Sequence, residues 1–180
     1  MTNNQQKETE AIVDEQIDLG ARIFRMPPKK LFISSFVAGL EIGFSLLLMG
    51  LLYSTFSEQL SPASMTAILS LGYPIGFIFV ILRRSELFTE QTALAMIPVL
   101  NRDQNLKSLF GVWYIVLIGN LIGGFLFSLF ISWFGPAKGF ISAEAFTHIA
   151  EEFINYPFSI IFFSALLAGW MMDGPFGLAA

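Results

Sequence analysis

Cysteine is absent from the 180 residues, which excludes a disulfide framework, a thiolate metal site and a cysteine nucleophile. Histidine occurs once, as His148, and there is no Ser-His-Asp arrangement, P-loop or dinucleotide fingerprint. The sequence therefore offers no enzyme active site, and neither a cofactor nor a nucleic-acid partner is expected. Charge is scarce: 13% of residues are charged, where a soluble domain carries about 25%. An apolar signal-peptide core is also lacking at the start. Met1 to Ile23 is polar and acidic, so the first apolar run is expected to stay as a span.

What is present explains the shortage of charge. Hydrophobic residues make up 54% of the chain, with 20 Phe and 15 Gly, and the mean hydropathy is +0.66. Lipid as solvent accounts for all of these, glycine being commoner in transmembrane helices than in soluble ones. A hydrocarbon core about 30 Å thick needs about 20 helical residues. Four runs qualify: 31–53, interrupted by Glu41; 65–82, ending at Arg83 and Arg84; 106–134; and 153–172, closed by Asp173, Gly174 and Pro175. The expected class is an all-α polytopic membrane protein, with residues 1–30 as a cytoplasmic tail and 31–180 as the membrane domain.

Orientation follows from Lys and Arg. Arg22, Arg25, Lys29 and Lys30 precede the first run, and Arg83, Arg84, Arg102 and Lys107 lie between the second and third; the opposite loops hold only Lys138. Four crossings then leave both termini on the cytoplasmic side of the plasma (inner) membrane. In the tail, Ile12, Val13, Leu19, Ile23 and Met26 recur at helical spacing among acids, which predicts a short amphipathic helix at the membrane surface.

Residues 87–100, LFTEQTALAMIPVL, are apolar but too few to cross. Two readings fit. The segment lies on the surface with the arginines as a cytoplasmic flank, or it is a re-entrant half-helix after a break, lining a cavity that satisfies its backbone. Glu41, mid-span, must face the bundle or a cavity with a partner, because a buried charge there is costly. Gly39 with Gly43, and Gly119 with Gly123, are small-xxx-small pairs that let helices approach closely; Asn120 between the second pair reads as an interhelical hydrogen-bonding residue. Glu144, His148 and Glu151 or Glu152 share a helix face, but solvated side chains are the expected reading and no metal is assigned.

Ser85-Glu86-Leu87-Phe88-Thr89-Glu90 resembles the ELFT-type loop motif of the formate/nitrite transporter family, and Gly119-Asn120-Leu121-Ile122-Gly123-Gly124 is similar to its Gly-Asn motif. The order of elements agrees over residues 29–172. The resemblance implies an aquaporin-like fold of six spans, assembled as a homopentamer in the bilayer, each protomer enclosing a pore for small monovalent anions. It also implies roles: Leu87 and Phe88 as an apolar gate, Thr89 as a pore-facing hydroxyl, Tyr73 and Phe77 as further constriction residues. Arg83 and Arg84 would raise anion concentration at the cytoplasmic mouth, and the half-helix N-terminus near Leu87 would turn its N–H groups towards an anion.

Departures from the family accompany the likeness. A fifth and sixth span are not seen before Ala180, which suggests a truncated or frame-shifted reading frame. No lysine stands near the start of the fourth run, where Glu151, Glu152 and Phe153 occur. The expectation is a formate/nitrite-type channel or transporter, incomplete in this chain. The competing expectation is a non-conducting fragment or a small structural subunit that needs a partner.

Overall fold

The computed structural model describes residues 17–176, without the side chains of residues 152, 153 and 171–176; Ile12 and Val13 of the tail lie outside them. The described residues form helices and no strand. Residues 17–24 are α1. They are followed by α2 (Pro28–Phe56), α3 (Pro62–Gly72), α4 (Ile75–Arg83), α5 (Phe88–Leu94), α6 (Met96–Leu100), α7 (Leu106–Lys138), α8 (Ala143–Ile154) and α9 (Phe158–Phe176).

Local chemistry sets the boundaries. Pro28 and Pro62 stand at first helical positions, where the missing N–H has no intrahelical partner to lose. Ser61, Asn105 and Ser142 cap α3, α7 and α8, each accepting the N–H three residues on. Helix α7 ends at Gly139, whose φ of +76° suits a residue without Cβ. Between α3 and α4, Pro74 interrupts the ladder. The Ser45 hydroxyl bridges that interruption from α2, donating to the Tyr73 carbonyl at 2.5 Å and accepting the Gly76 N–H at 3.0 Å.

Three stretches, Pro28–Phe56, Pro62–Arg83 and Leu106–Lys138, are long and apolar enough to cross a membrane, and Phe158–Trp170 is a shorter apolar helix. The fourth stretch differs from the expected 153–172. Glu151, Glu152 and Phe153 belong to the separate helix α8, and α9 begins only after Pro157. Proline has no N–H to continue the ladder and disfavours helical backbone at the residue before it, so the helix of the predicted run starts at Phe158, about five residues later than expected.

Helices α2 and α7 form the spine, running in the same direction and packed along much of their length. Glycine makes that approach possible. A Cβ on Gly39 would sit 2.3 Å from the Asn120 carbonyl oxygen, and one on Gly123 would sit 2.1 Å from that of Phe36. Gly119 and Gly43 press equally closely on Ser35 and Phe127. Both glycine pairs of the sequence thus face one another within a single chain. At the far end, Ile149 of α8 joins Met49, Met65 and Leu69 in a core cluster, and the His148 ring stacks on Tyr53 at 4.5 Å.

At the near end a second cluster gathers Ile23, Leu31, Ala95, Leu109, Val112 and Val116. Its membership fixes the course of the chain after the break. Helices α5 and α6 run beside the first turns of α2 and α7, towards the end from which both start. They follow α4 after a break, with Ala95 between them fully buried among residues of α2 and α7. Helix α1 is docked on them: Gly20 lies against the Leu94 carbonyl and Pro98, and a Cβ there would be 2.2 Å from that oxygen. Ile23 is 2% exposed. The tail helix therefore buries Gly20 and Ile23 on protein, while Leu19 is exposed.

Candidate functional site

The break between α4 and α5 is the most polar place inside the apolar bundle. Helix α4 stops because Arg84 takes a left-handed conformation, φ 55° and ψ 42°. Its N–H donates to the Ile81 carbonyl, and that of Ser85 to the Val80 carbonyl, each at 3.2 Å. This pair of bonds closes helix ends, usually with glycine at the left-handed position; arginine accepts a backbone cost of about 1 kcal/mol there. Residues 85–87 are then extended, and α5 starts at Phe88.

Asn120, midway along α7, holds this non-helical stretch. Its side-chain oxygen accepts the Phe88 N–H at 2.7 Å, and its amide donates to the carbonyls of Ser35 at 2.7 Å and Glu86 at 3.0 Å. Leu87 cannot cap a helix with its own side chain, so a residue from another helix does so. Ser34 adds a fourth contact, accepting the Glu86 N–H at 3.2 Å. Backbone polar groups in an apolar interior need such partners, and α2 and α7 supply them.

Two buried carboxylates flank the break. Glu41, near the middle of α2, accepts a short hydrogen bond from the Ser85 hydroxyl and lies 3.3 Å from Arg83 Nε. Glu86 accepts a hydrogen bond from Gln91 and lies 3.5 Å from Arg22 of α1. Arg83 thus sits beside the middle of α2, paired with an acid, rather than on a flank beyond the helix ends.

The other predicted residues spread around this centre. Ser85 and Glu86 are buried, Leu87 and Phe88 half-buried, and Thr89, Glu90 and Arg84 exposed. The Phe88 ring meets Trp113 edge-on at 6.3 Å. Tyr73 is exposed and Phe77 half-buried, one turn apart in the broken helix with ring centroids 5.8 Å apart. Sequence reasoning missed Ser34, Ser45, Gln91 and Arg22. Hydroxyls at Ser34 and Ser45 inside an otherwise apolar run were the available signal. Among the described residues no group of His, Asp and Glu could hold a metal, and Glu144, His148 and Glu151 do not form one.

Compared with known families, residues 10–176 match the formate/nitrite transporter family. The chain belongs to that family. The match runs through every element that builds the break. Among relatives, the Escherichia coli inner membrane protein YfdC is 32% identical over 142 residues, which are 77% of this chain and 44% of that protein. The nitrite transporter NirC of Salmonella typhimurium is 24% identical over 152 residues, 84% of this chain and 55% of NirC. A probable formate transporter of Methanothermobacter thermautotrophicus is 25% identical over 121 residues, 67% of this chain and 43% of the relative. The chain spans about half the length of the curated relatives it matches. Family and helices together make it an all-α, multi-pass membrane protein.

Proposed function

We propose that this chain forms part of a transmembrane pathway for small monovalent anions of the formate and nitrite class, with the α4–α5 break as its constriction. The observation that carries the reading is the clamp on the break. Three hydrogen bonds, one accepted and two donated by the Asn120 side chain, hold an apolar pair, Leu87 and Phe88, beside the Thr89 hydroxyl within a membrane bundle. An apolar ring disfavours hydrated ions, so passage favours small or transiently protonated species, and a hydroxyl can donate to a carboxylate or nitrite oxygen. Tyr73 and Phe77 extend the constriction along the same broken helix. Arg84 is open and adds positive potential nearby.

Relatives named as nitrite and formate transporters support this substrate class, and transport without chemistry is the corresponding activity. Both termini are assigned to the cytoplasmic side by the distribution of Lys and Arg. A homopentamer is the assembly that the family resemblance implies. Flux of formate and nitrite into proteoliposomes containing the purified chain tests the reading. Saturable uptake above that of protein-free liposomes is expected. Uptake equal to the protein-free control would replace the proposal with a non-conducting membrane subunit.

A further inference from the structure

Glu41 and Arg83 stand apart from the apolar constriction and need their own account. The Glu41 side chain is 6% exposed and that of Arg83 70%. One carboxylate oxygen is held by Ser85; the other has no hydrogen bond among the described residues and faces Arg83 Nε. The carboxylate is therefore fixed through Ser85, while the guanidinium is held beside it by opposite charge, without a hydrogen bond, and is otherwise open.

Depth makes that opening informative. Contact with Glu41 pins Arg83 beside the middle of α2, so its charge does not extend to water beyond either helix end. An arginine facing hydrocarbon at such depth is costly, and such residues face a water-filled cavity or a partner charge. Glu41 is one partner, but it covers only part of the guanidinium. The remaining N–H donors point to a polar occupant.

We propose that Arg83 is an anion-recognition residue of the pathway and that Glu41 is its positioning residue. The proposal rests on the reading of this chain as a small-anion pathway. A planar guanidinium matches the two oxygens of a carboxylate or of nitrite. With the Nε edge turned towards Glu41 as an ion pair, the terminal nitrogens remain to donate to the anion. Glu41 also moderates the charge. A lone arginine in a low-dielectric passage would hold an anion strongly, whereas a neutral pair leaves directional N–H bonds without a deep well, and conduction needs binding weak enough to release.

The test titrates sodium formate, against sodium sulfate at matched ionic strength, into the purified chain in detergent. Binding is read by calorimetry and by the thermal unfolding midpoint, with liposome flux measured in parallel. Wild type is expected to show saturable formate binding that weakens at least about tenfold in Arg83→Gln. In Glu41→Gln, which keeps an acceptor for Ser85 and removes the counter-charge, formate should bind more tightly and flux should slow. Arg83→Lys retains the charge without the fork; it should bind formate weakly and serves as the second variant if Arg83→Gln does not fold. Formate affinity unchanged by both Arg83 substitutions, or no formate-specific binding by wild type, would overturn the proposal. Wild-type flux alongside unchanged affinity in the variants rejects Arg83 as a ligand and leaves the anion pathway standing. Arg83-dependent binding without flux keeps the site and removes the transport reading.

Discussion

Asn120 carries more of the site than any other single side chain, because one amide satisfies backbone groups from α2, the break and α5. Replacing it by alanine orphans the Phe88 N–H and removes a donor from two carbonyls. With each unsatisfied buried group costing about 1–3 kcal/mol, Asn120→Ala should lose of order 3 kcal/mol and lower the detergent unfolding midpoint. Asn120→Asp keeps the acceptor for Phe88 but sets a second carboxylate oxygen against the Ser35 and Glu86 carbonyls, so it should be at least as destabilising as Asn120→Ala; an unchanged midpoint in both would deny the clamp. Legibility at this scale was uneven. The LFTE segment and the Gly-Asn pair stood out through their resemblance to the motifs of the formate/nitrite transporter family. The partners of Glu41 did not, since Arg83 and Ser85 lie 44 residues or fewer along the chain but meet it only through the register of α4 on α2. That register depends on Gly76 touching the backbone of Ile42, a property of two surfaces and not of either segment.

Among the elements, α5 and α6 changed most between sequence and structure. Their fourteen-residue stretch has the length of an interfacial or re-entrant piece, and composition alone could not separate these. A non-local contact sets its course: Ala95 packs with Leu31 and Leu109, along the starts of α2 and α7. Pro157, by contrast, was a local signal for dividing α8 from α9, outweighed by the continuous apolarity around it. Helix α1 also gained a specific seat. Gly20 touches the Leu94 carbonyl, and Pro98, lacking an N–H, leaves that carbonyl without its usual helical donor. Gly20→Val would push a side chain into that oxygen, and overpacking of this kind costs about 1–3 kcal/mol. Hydrogen exchange should then accelerate across residues 17–24 while α2 and α7 keep their protection. Exchange in α1 identical to wild type would mean that the contact does not hold the tail in place.

For the whole molecule, the spine of α2 and α7 is what makes a broken helix tolerable. Two long helices, about 43 and 50 Å at 1.5 Å per residue for 29 and 33 residues, present serines, an acid and an asparagine to a neighbour that could not otherwise satisfy its own backbone. The outer face of α7 is apolar, with Tyr114, Phe125 and Trp133 each more than 60% exposed, as suits lipid or another membrane surface. The lack of cysteine makes the molecule a clean background for accessibility chemistry. Thr89→Cys, labelled in intact liposomes by a water-soluble anionic thiosulfonate, asks most directly whether the break borders an anion path; Phe125→Cys on the outer face is the apolar control. Thr89→Cys is expected to react readily, formate or nitrite to slow the reaction, and Phe125→Cys to stay unreactive. A Thr89→Cys protein as unreactive as the control, or one that reacts at a rate neither anion changes, would contradict an anion path at the break.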